Sequence, residues 1–393
     1  MKRWWVLLGL SLVLLVLSGC AGARQESWAG AVVADGVLYI ADMDHVRALD
    51  AETGEELWSW MPGTRANAAT TGFYARPTYD AERKLLLVAT LHGQEVYALQ
   101  LTDNTRAVPG VAWVYPREKG STIPLIGPLL QALGALPEAE GAKGQYVAGG
   151  AIGGDLFVIG NGDGSVYALN LADGTLAWRF ATRERIWTTP LIVEDTVYVA
   201  SMDHGLYALA LADGALKWKF EGRGAFGGAP VLVDGGLWIG DFGDRVYRLD
   251  PETGAVLWTF EEGENWFWST GTPGAGRITF ADVGGNVITF DTRTPSVVWQ
   301  QRVEGEIFRG QGVLSSDGKT LYLPGYQSGV IRALEAATGS ILPQNSVAQG
   351  ERLPGDLATD GERIYVMPIM AATRVQALDA EDGKLLWQYP LPE

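Results

Sequence analysis

The chain has 393 residues, with 30 Lys and Arg against 46 Asp and Glu, and its formal net charge is −16. A body this acidic is repelled by nucleic acid and by anionic lipid surfaces, which excludes a nucleic-acid-binding role. Its 51 Gly residues and 10% aromatic residues suit many turns around a packed all-β core, and its single Cys excludes a disulfide framework.

Residues 1–19 are predicted to form a secretory signal peptide. Lys2 and Arg3 precede an apolar run from Trp4 to Leu17, which is shorter than the roughly 20 residues that a spanning helix needs. The sequence "LSGC", ending at Cys20, resembles the bacterial lipobox and implies cleavage before Cys20 and lipidation of that residue. A general signal peptide with an incidental Cys is the alternative, but the absence of any other Cys favours the anchor.

Residues 20–27 then form the lipidated Cys and a short tether. We expect an extracytoplasmic protein held at a membrane by its lipid, on the periplasmic face of the outer membrane if the cell has one.

A 13-residue pattern recurs through the rest of the chain. The strong copies are "VRALDAETGEELW" from Val46, "VYALNLADGTLAW" from Val166, "LYALALADGALKW" from Leu206, "VYRLDPETGAVLW" from Val246 and "VQALDAEDGKLLW" from Val375. Weaker copies start at Val96, Val287 and Ile331. Together they define eight units of about 40 residues.

Each unit contains four short apolar runs separated by turn residues, as in "WTTPLIV", "TVYVAS", "LYALAL" and "ALKWKF". Four strands per repeat at this length are typical of a propeller blade. A solenoid would need polar capping units, whereas the copies at Val46 and Val375 are among the best. We predict an all-β fold over residues 28–393, an eight-bladed β-propeller of four-stranded antiparallel blades, each built from one contiguous segment.

The Trp that closes the pattern is predicted to hold neighbouring blades together. The turn before it needs a residue that tolerates positive φ, which Gly supplies. The indole offers a large flat surface to the next blade, and its N–H needs a carbonyl partner when it is buried. This structural docking role is assigned to Trp58, Trp113, Trp178, Trp218, Trp258, Trp299 and Trp387.

One insertion, residues 116–148, interrupts the repeat between the second and third units. "LLQALGAL" is predicted to form a short helix after Pro128, because Leu129, Leu133 and Leu136 have helical spacing. Long insertions in compact folds tend to be functional or disordered, and this one is too apolar to be a simple linker. A partner-binding segment and a plug packed on its own propeller remain alternatives.

The segments that join the outermost strand of one unit to the innermost strand of the next should meet at the mouth of the central channel. They are rich in aromatic and Arg side chains, the types that anchor protein interfaces. Filling the channel is the alternative role for each residue. With the insertion, the predicted partner-binding set is Leu129, Leu130, Leu133, Trp187, Phe226, Trp266, Phe267, Trp268, Phe308, Arg309 and Arg352.

The string A-x-D-x-x-T-G-x-x-x-W, at Ala48, Asp50, Thr53, Gly54 and Trp58, resembles the tryptophan-docking motif of the pyrroloquinoline-quinone-type eight-bladed propellers. The resemblance covers nearly all of residues 28–390. That family includes quinone-dependent alcohol dehydrogenases and BamB, the non-catalytic lipoprotein of the outer-membrane β-barrel assembly machinery. The dehydrogenases carry adjacent cysteines over the cofactor and a calcium site, and this chain has a single Cys, so the resemblance implies a non-catalytic member.

Acidic and His side chains in the turns are interpreted as structural. Asp241, Asp244 and Asp282 stand where hairpins need Asx-type bonds, and His45 and His204 occupy equivalent turn positions. No catalytic residue, metal site or cofactor is therefore predicted.

The function that these features predict is a lipid-anchored scaffold for protein–protein interaction at the cell envelope, resembling BamB in outer-membrane protein assembly. Its partner would be an envelope protein such as an outer-membrane β-barrel assembly component. A quinone-dependent oxidoreductase and a ligand-binding or sensor lipoprotein of a single-membrane cell stay open as alternatives.

Overall fold

The computed structural model describes residues 30–43, 45–63, 72–92, 94–116, 141–343, 347–348, 352–368 and 374–390. All named elements in these ranges are β-strands. The predicted helix of the insertion lies outside the described residues. Within the described ranges, no helix has the length and apolar character needed to cross a bilayer.

The strands form eight sheets, and each sheet contains four antiparallel strands in chain order. Blades 1 to 4 contain β1 Ala31–Ala34, β2 Val37–Asp42, β3 His45–Asp50, β4 Glu56–Trp60; β5 Thr78–Asp80, β6 Leu85–Ala89, β7 Val96–Gln100, β8 Gly110–Tyr115; β9 Ala151–Gly153, β10 Leu156–Gly160, β11 Ser165–Asn170, β12 Leu176–Ala181; and β13 Leu191–Val193, β14 Thr196–Ala200, β15 Gly205–Ala210, β16 Leu216–Glu221.

Blades 5 to 8 contain β17 Val231–Val233, β18 Gly236–Gly240, β19 Val246–Leu249, β20 Val256–Phe260; β21 Thr272–Gly274, β22 Arg277–Ala281, β23 Asn286–Asp291, β24 Ser296–Arg302; β25 Val313–Leu314, β26 Thr320–Pro324, β27 Val330–Glu335, β28 Val347–Ala348; and β29 Ala358–Thr359, β30 Arg363–Val366, β31 Val375–Asp379, β32 Leu385–Tyr389. The eight-bladed architecture and the contiguous blades are confirmed.

Antiparallel connection gives the ring two distinct faces. One face carries the loops between blades and the hairpins between the second and third strands, such as residues 222–230 and 241–245. We call it the connection face. The opposite face carries the hairpins that join the first strand to the second and the third to the fourth, such as residues 234–235 and 250–255. We call it the turn face.

The core lies between adjacent blades. Second strands such as β14 and β18 are buried along their whole length, because a sheet covered on both sides has no solvent face to alternate with. Val158 and Val166 of blade 3, for example, pack in one cluster with Val197 and Val199 of blade 4. Each blade therefore depends on its neighbours to bury its faces.

Hydrogen bonds from indole N–H groups link several blades to the next blade in the ring. Trp218 Nε1 donates to the backbone carbonyl of Pro251, in the last turn of blade 5, at 3.0 Å. Equivalent bonds run from Trp113 to Leu171, Trp178 to Leu211, Trp299 to Ala336 and Trp387 to Ala51, at 2.8, 2.7, 3.0 and 3.1 Å. The last of these joins blade 8 to blade 1, where β29 also contacts β1, and it closes the ring.

The glycine of the docking turn serves two purposes. Gly254 has φ of 71°, a region that L side chains rarely adopt. A Cβ on Gly254 would also lie 2.6 Å from Cε3 of Trp218, so any side chain there would displace the indole. Gly54, Gly174, Gly214 and Gly339 stand in the same relation to the Trp of the preceding blade.

Three junctions use other contacts. Tyr39 of blade 1 packs on Tyr79 of blade 2 with ring centroids 5.9 Å apart, and Trp258 of blade 5 packs on Phe290 of blade 6 at 5.4 Å. Blade 7 carries Pro343 where the other blades carry Trp. There the Tyr322 hydroxyl donates to the carbonyl of Glu381 in blade 8 at 3.3 Å. An aromatic side chain of the second strand thus compensates for the missing indole.

Replacing Trp218 with Ala should lower the free energy of unfolding by about 3–5 kcal/mol, as large aromatic truncations do. The loss combines the buried ring with the bond to Pro251. Leu216→Ala is the matched control on the same strand, because Leu216 is 50% exposed. Urea unfolding followed by intrinsic fluorescence measures both, and equal losses would contradict the docking role.

Replacing Gly254 with Ala should destabilise more than replacing Gly235 with Ala. Both residues have φ near 70°, but nothing lies within 4 Å of a Cβ at Gly235. The conformational cost, about 1–2 kcal/mol, is therefore common to both, and the clash with Trp218 should add about 1–3 kcal/mol at Gly254 alone. Thermal and urea unfolding compare the variants, and indistinguishable stabilities would show that the indole does not need the gap.

Candidate protein-binding site at the channel mouth

Loops of the connection face converge around a central channel. A cavity of about 520 Å³ lies there. Every blade contributes to its lining, which includes Arg76, Trp187, Trp268, Arg309 and Asp356. Residues far apart in the sequence are thereby brought to one mouth.

A continuous stack of aromatic and Arg side chains crosses blades 5 to 8 beside this mouth. The Phe242 ring lies 5.2 Å from Trp266 and 4.9 Å from Trp268, centroid to centroid. Cζ of Arg309 lies 4.8 Å from the Trp268 ring and 4.0 Å from the Tyr326 ring. Cζ of Arg352 lies 5.6 Å from the centroid of the same Tyr326 ring. We call these six residues the aromatic–arginine ladder: Trp266, Phe242, Trp268, Arg309, Tyr326 and Arg352.

Backbone bonds fix the loops that carry the ladder. Phe242 N–H donates to Ala225 O at 2.8 Å, and Tyr326 N–H donates to Ile307 O at 2.8 Å. Asp241, which is fully buried, accepts bonds from the N–H groups of Gly243 and Gly224 at 2.9 and 2.8 Å. Because the hairpin is tied to the neighbouring loop, the aromatic rings are positioned before any partner arrives.

Exposure differs along the ladder. Trp266 is 50% exposed and Tyr326 only 7%. Arg352 is exposed at the other end, while Trp268 and Arg309 are half-buried and face the channel. The ladder therefore has a middle that is buried or half-buried and two exposed ends that a partner can touch.

Three residues of the predicted partner-binding set do not reach the surface. Phe226, Phe267 and Phe308 are 0% exposed. Each packs into a cluster between two blades, because the side chain of this loop position turns inward beneath the loop. Their assignment to a partner surface was wrong, and they belong to the core.

Other members of the set are placed differently. Trp187 is half-buried in the channel lining on blade 4, apart from the ladder, and Arg185 Cζ lies 5.7 Å from its ring. Leu129, Leu130 and Leu133 lie outside the described residues, and their role stays a prediction. The described ends of the insertion lie close together, since a Cβ on Gly141 would be 2.8 Å from the Pro116 side chain.

Sequence reasoning missed Phe242 and Tyr326, which complete the ladder. Both lie in hairpins between second and third strands, and only the loops between blades were considered for the partner surface. The sequence did contain a signal for these two residues. The hairpins "DFGD" and "PGYQSG" contain an aromatic residue, whereas the equivalent hairpins of blades 3 and 4, "NGDG" and "MDHG", have a flexible or polar residue there.

Carboxylates near the mouth are engaged in structural bonds. Asp282 accepts bonds from the N–H groups of Gly284 and Asn286, each at 2.8 Å. Burial opposes ionisation of Asp203, yet bonds from the Tyr207 hydroxyl and backbone N–H groups hold its pKa below the usual range. Burial and the neighbouring Asp241 raise the pKa of Asp244. In the described ranges, no group of three or more His, Cys, Asp and Glu is arranged to hold a metal.

Eight contiguous four-stranded blades, five of them joined to the next by an indole-to-carbonyl bond over a glycine turn, define a pyrroloquinoline-quinone-type β-propeller. The family model described as outer membrane protein assembly factor BamB matches residues 132–247 and 243–393. The chain belongs to this family.

Two solved structures share that fold, and one curated protein is similar in sequence over part of its length. BamB from Moraxella catarrhalis superposes with a TM-score of 0.66 at 16% identity, over 88% of this chain and 96% of that protein. The computationally designed Ika8 protein superposes with a TM-score of 0.65 at 12% identity, over 92% and 96% of the two chains. The serine/threonine-protein kinase AfsK of Streptomyces griseus is 29% identical over 177 residues, which are 45% of this chain and only 18% of the kinase.

The contact between Arg309 and Tyr326 should be measurable as a coupling energy. A double-mutant cycle of Arg309→Met and Tyr326→Leu should give a coupling of about 0.5–2 kcal/mol in urea unfolding, as expected for a partly desolvated cation–π pair. Arg309→Met combined with Tyr167→Leu, in the distant blade 3, should be additive. A coupling of zero between Arg309 and Tyr326 would contradict a preformed ladder.

Proposed function

We propose that this protein is a non-catalytic, lipid-anchored scaffold that binds an envelope protein through its connection face and acts in the assembly of outer-membrane β-barrel proteins. The observation that carries the proposal is the aromatic–arginine ladder, on a chain of the family described as outer membrane protein assembly factor BamB.

The ladder has the composition of a protein-binding hot spot. Trp, Tyr and Arg dominate the binding energy of protein interfaces. Binding costs entropy for each side chain that becomes ordered. Here Phe242, Trp268 and Arg309 are already stacked, so little of that cost remains. The half-exposed Trp266 is the natural first contact of a partner.

A scaffold role agrees with the chemistry of the mouth. Catalysis by acid and base requires a titratable group free to exchange a proton with a substrate. Asp241 and Asp282 are 0% exposed and accept bonds from backbone N–H groups of their own hairpins. These carboxylates support the loops, which favours binding over reaction.

The position of the first strand supports an orientation. Gly30 adjoins Arg76, since a Cβ on Gly30 would be 2.5 Å from Arg76 Cβ, and both line the channel. The chain therefore enters blade 1 from the connection face. Ten residue steps separate Gly30 from Cys20 and span at most about 36 Å at ~3.6 Å each. A lipid on Cys20 would keep the connection face within reach of a membrane-embedded partner.

Site-specific photocrosslinking tests the binding face. A photoreactive residue in place of Trp266 should capture an outer-membrane β-barrel assembly protein in the native cell, identified by mass spectrometry. The matched probe replaces Asp213, an exposed residue on the turn face. Capture from Asp213 alone would reverse the proposed orientation. Tight stoichiometric binding of pyrroloquinoline quinone with calcium, measured by calorimetry, would instead favour the oxidoreductase alternative.

Replacing Cys20 with Ser tests the anchor. The wild-type protein should incorporate labelled fatty acid and fractionate with membranes, because two or more acyl chains give stable anchoring. Cys20→Ser should lose the label and leave the membrane fraction, while Ser18→Ala keeps both. Labelling of the Cys20→Ser protein would rule out lipidation at this position.

A further inference from the structure

Blade 6 lacks an aromatic packing contact that four other blades make. In four blades, an aromatic residue of the second strand packs against the docking Trp of the same blade. The pairs are Tyr39 with Trp58, Tyr198 with Trp218, Trp238 with Trp258 and Tyr365 with Trp387, with centroids 6.0, 5.8, 5.7 and 5.9 Å apart.

Two of the three tyrosines in this set, Tyr198 and Tyr365, also share a hydrogen-bond acceptor with the indole. Pro251 O accepts from both the Tyr198 hydroxyl and Trp218 Nε1, each at 3.0 Å. Ala51 O accepts from the Tyr365 hydroxyl at 3.2 Å and from Trp387 Nε1 at 3.1 Å. Ring and hydroxyl together fill the space between a blade and the next turn.

In blade 6, the second-strand position that Tyr198 occupies in blade 4 is Thr279. Thr279 pairs with Thr289 of the third strand, just as Tyr198 pairs with Ala208. The hydroxyls of Thr279 and Thr289 lie 2.6 Å apart, and both residues are buried. The shared acceptor is still satisfied, because Arg277 donates to Ala336 O at 3.1 Å beside the bond from Trp299. Arg277 thus makes the hydrogen bond that a tyrosine hydroxyl makes in blades 4 and 8. Thr279, however, does not supply the aromatic ring.

A cleft of about 420 Å³ lies at this junction. Its lining includes Thr279, Thr289, Arg277, Leu314 and Ala336. It opens on the turn face, where the lining includes hairpin residues of blades 6 and 7. An apolar cavity of about 150 Å³ is enough to bind benzene in an engineered protein, so this cleft has room for a substituted ring.

We propose that the cleft binds a phenolic ring, which takes the place of the aromatic side chain that four other blades supply. Leu314 and the alanines give the ring an apolar surface. Ala336 O already accepts two hydrogen bonds, so the phenolic oxygen bonds instead to Arg277 and the buried threonine hydroxyls. The ring belongs either to a free phenolic molecule or to a tyrosine side chain of a bound protein.

Protein-observed NMR titration with p-cresol, the analogue of the tyrosine side chain, tests the proposal on the folded protein. Shifts should localise to Thr289, Leu314 and Ala336, and toluene should bind more weakly because it lacks the oxygen. N-acetyl-tyrosinamide separates the two sources of the ring. If it binds, the cleft can accept a tyrosine side chain of a protein. If it does not bind while p-cresol does, the ligand is a free phenolic molecule.

Thr279→Tyr should fill the cleft from within and weaken p-cresol binding by more than about tenfold. Thr279→Leu fills the cleft with an aliphatic group and should also weaken p-cresol binding. It provides the test if the Tyr variant folds poorly. Thr102→Tyr, on an exposed turn of blade 2, is the control and should leave binding unchanged. Failure of p-cresol to bind at millimolar concentration, or equal affinity in both Thr279 variants and the wild type, would overturn the proposal.

Discussion

The propeller depends on the contact between an indole of one blade and a glycine turn of the next. A four-stranded sheet of this size cannot bury both of its faces alone, so each blade is stable only against its neighbours. The bond from Trp178 to Leu211 O and the absence of a side chain on Gly214 fix the distance and angle between blades. That geometry recurs at five of the eight junctions, and the aromatic contacts of the other three complete the ring from blade 8 back to blade 1.

The candidate binding site uses the same inter-blade geometry. Loops of the connection face alternate a residue that turns into the core, such as Phe267, with residues that face outward, such as Trp266 and Trp268. Buried Asp241 ties one hairpin to the loop beside it. Because these supports belong to the repeat, the ladder is held by the architecture and can differ from blade to blade without loss of the ring.

Much of the fold was predictable from the sequence, since the spacing of Asp50, Gly54 and Trp58 recurs in units of about 40 residues. The site was less predictable. Spacing identified the loops of the mouth but not the direction of each side chain, so Phe308 was assigned to the surface although it is buried. Tyr326 was missed because stacking on Arg309 joins residues of different loops, which no single segment reveals.

Contiguous blades have a consequence for the covalent chain. The junction between blades 8 and 1 is held by Trp387, Tyr365 and the contact between β29 and β1. In the described ranges, each of these two blades takes its four strands from one contiguous segment of the chain. Peptide continuity is therefore not what holds that junction. The architecture of the ring does not depend on which inter-blade loop contains the chain ends. A circular permutant cut at another inter-blade loop would keep every blade and every inter-blade contact.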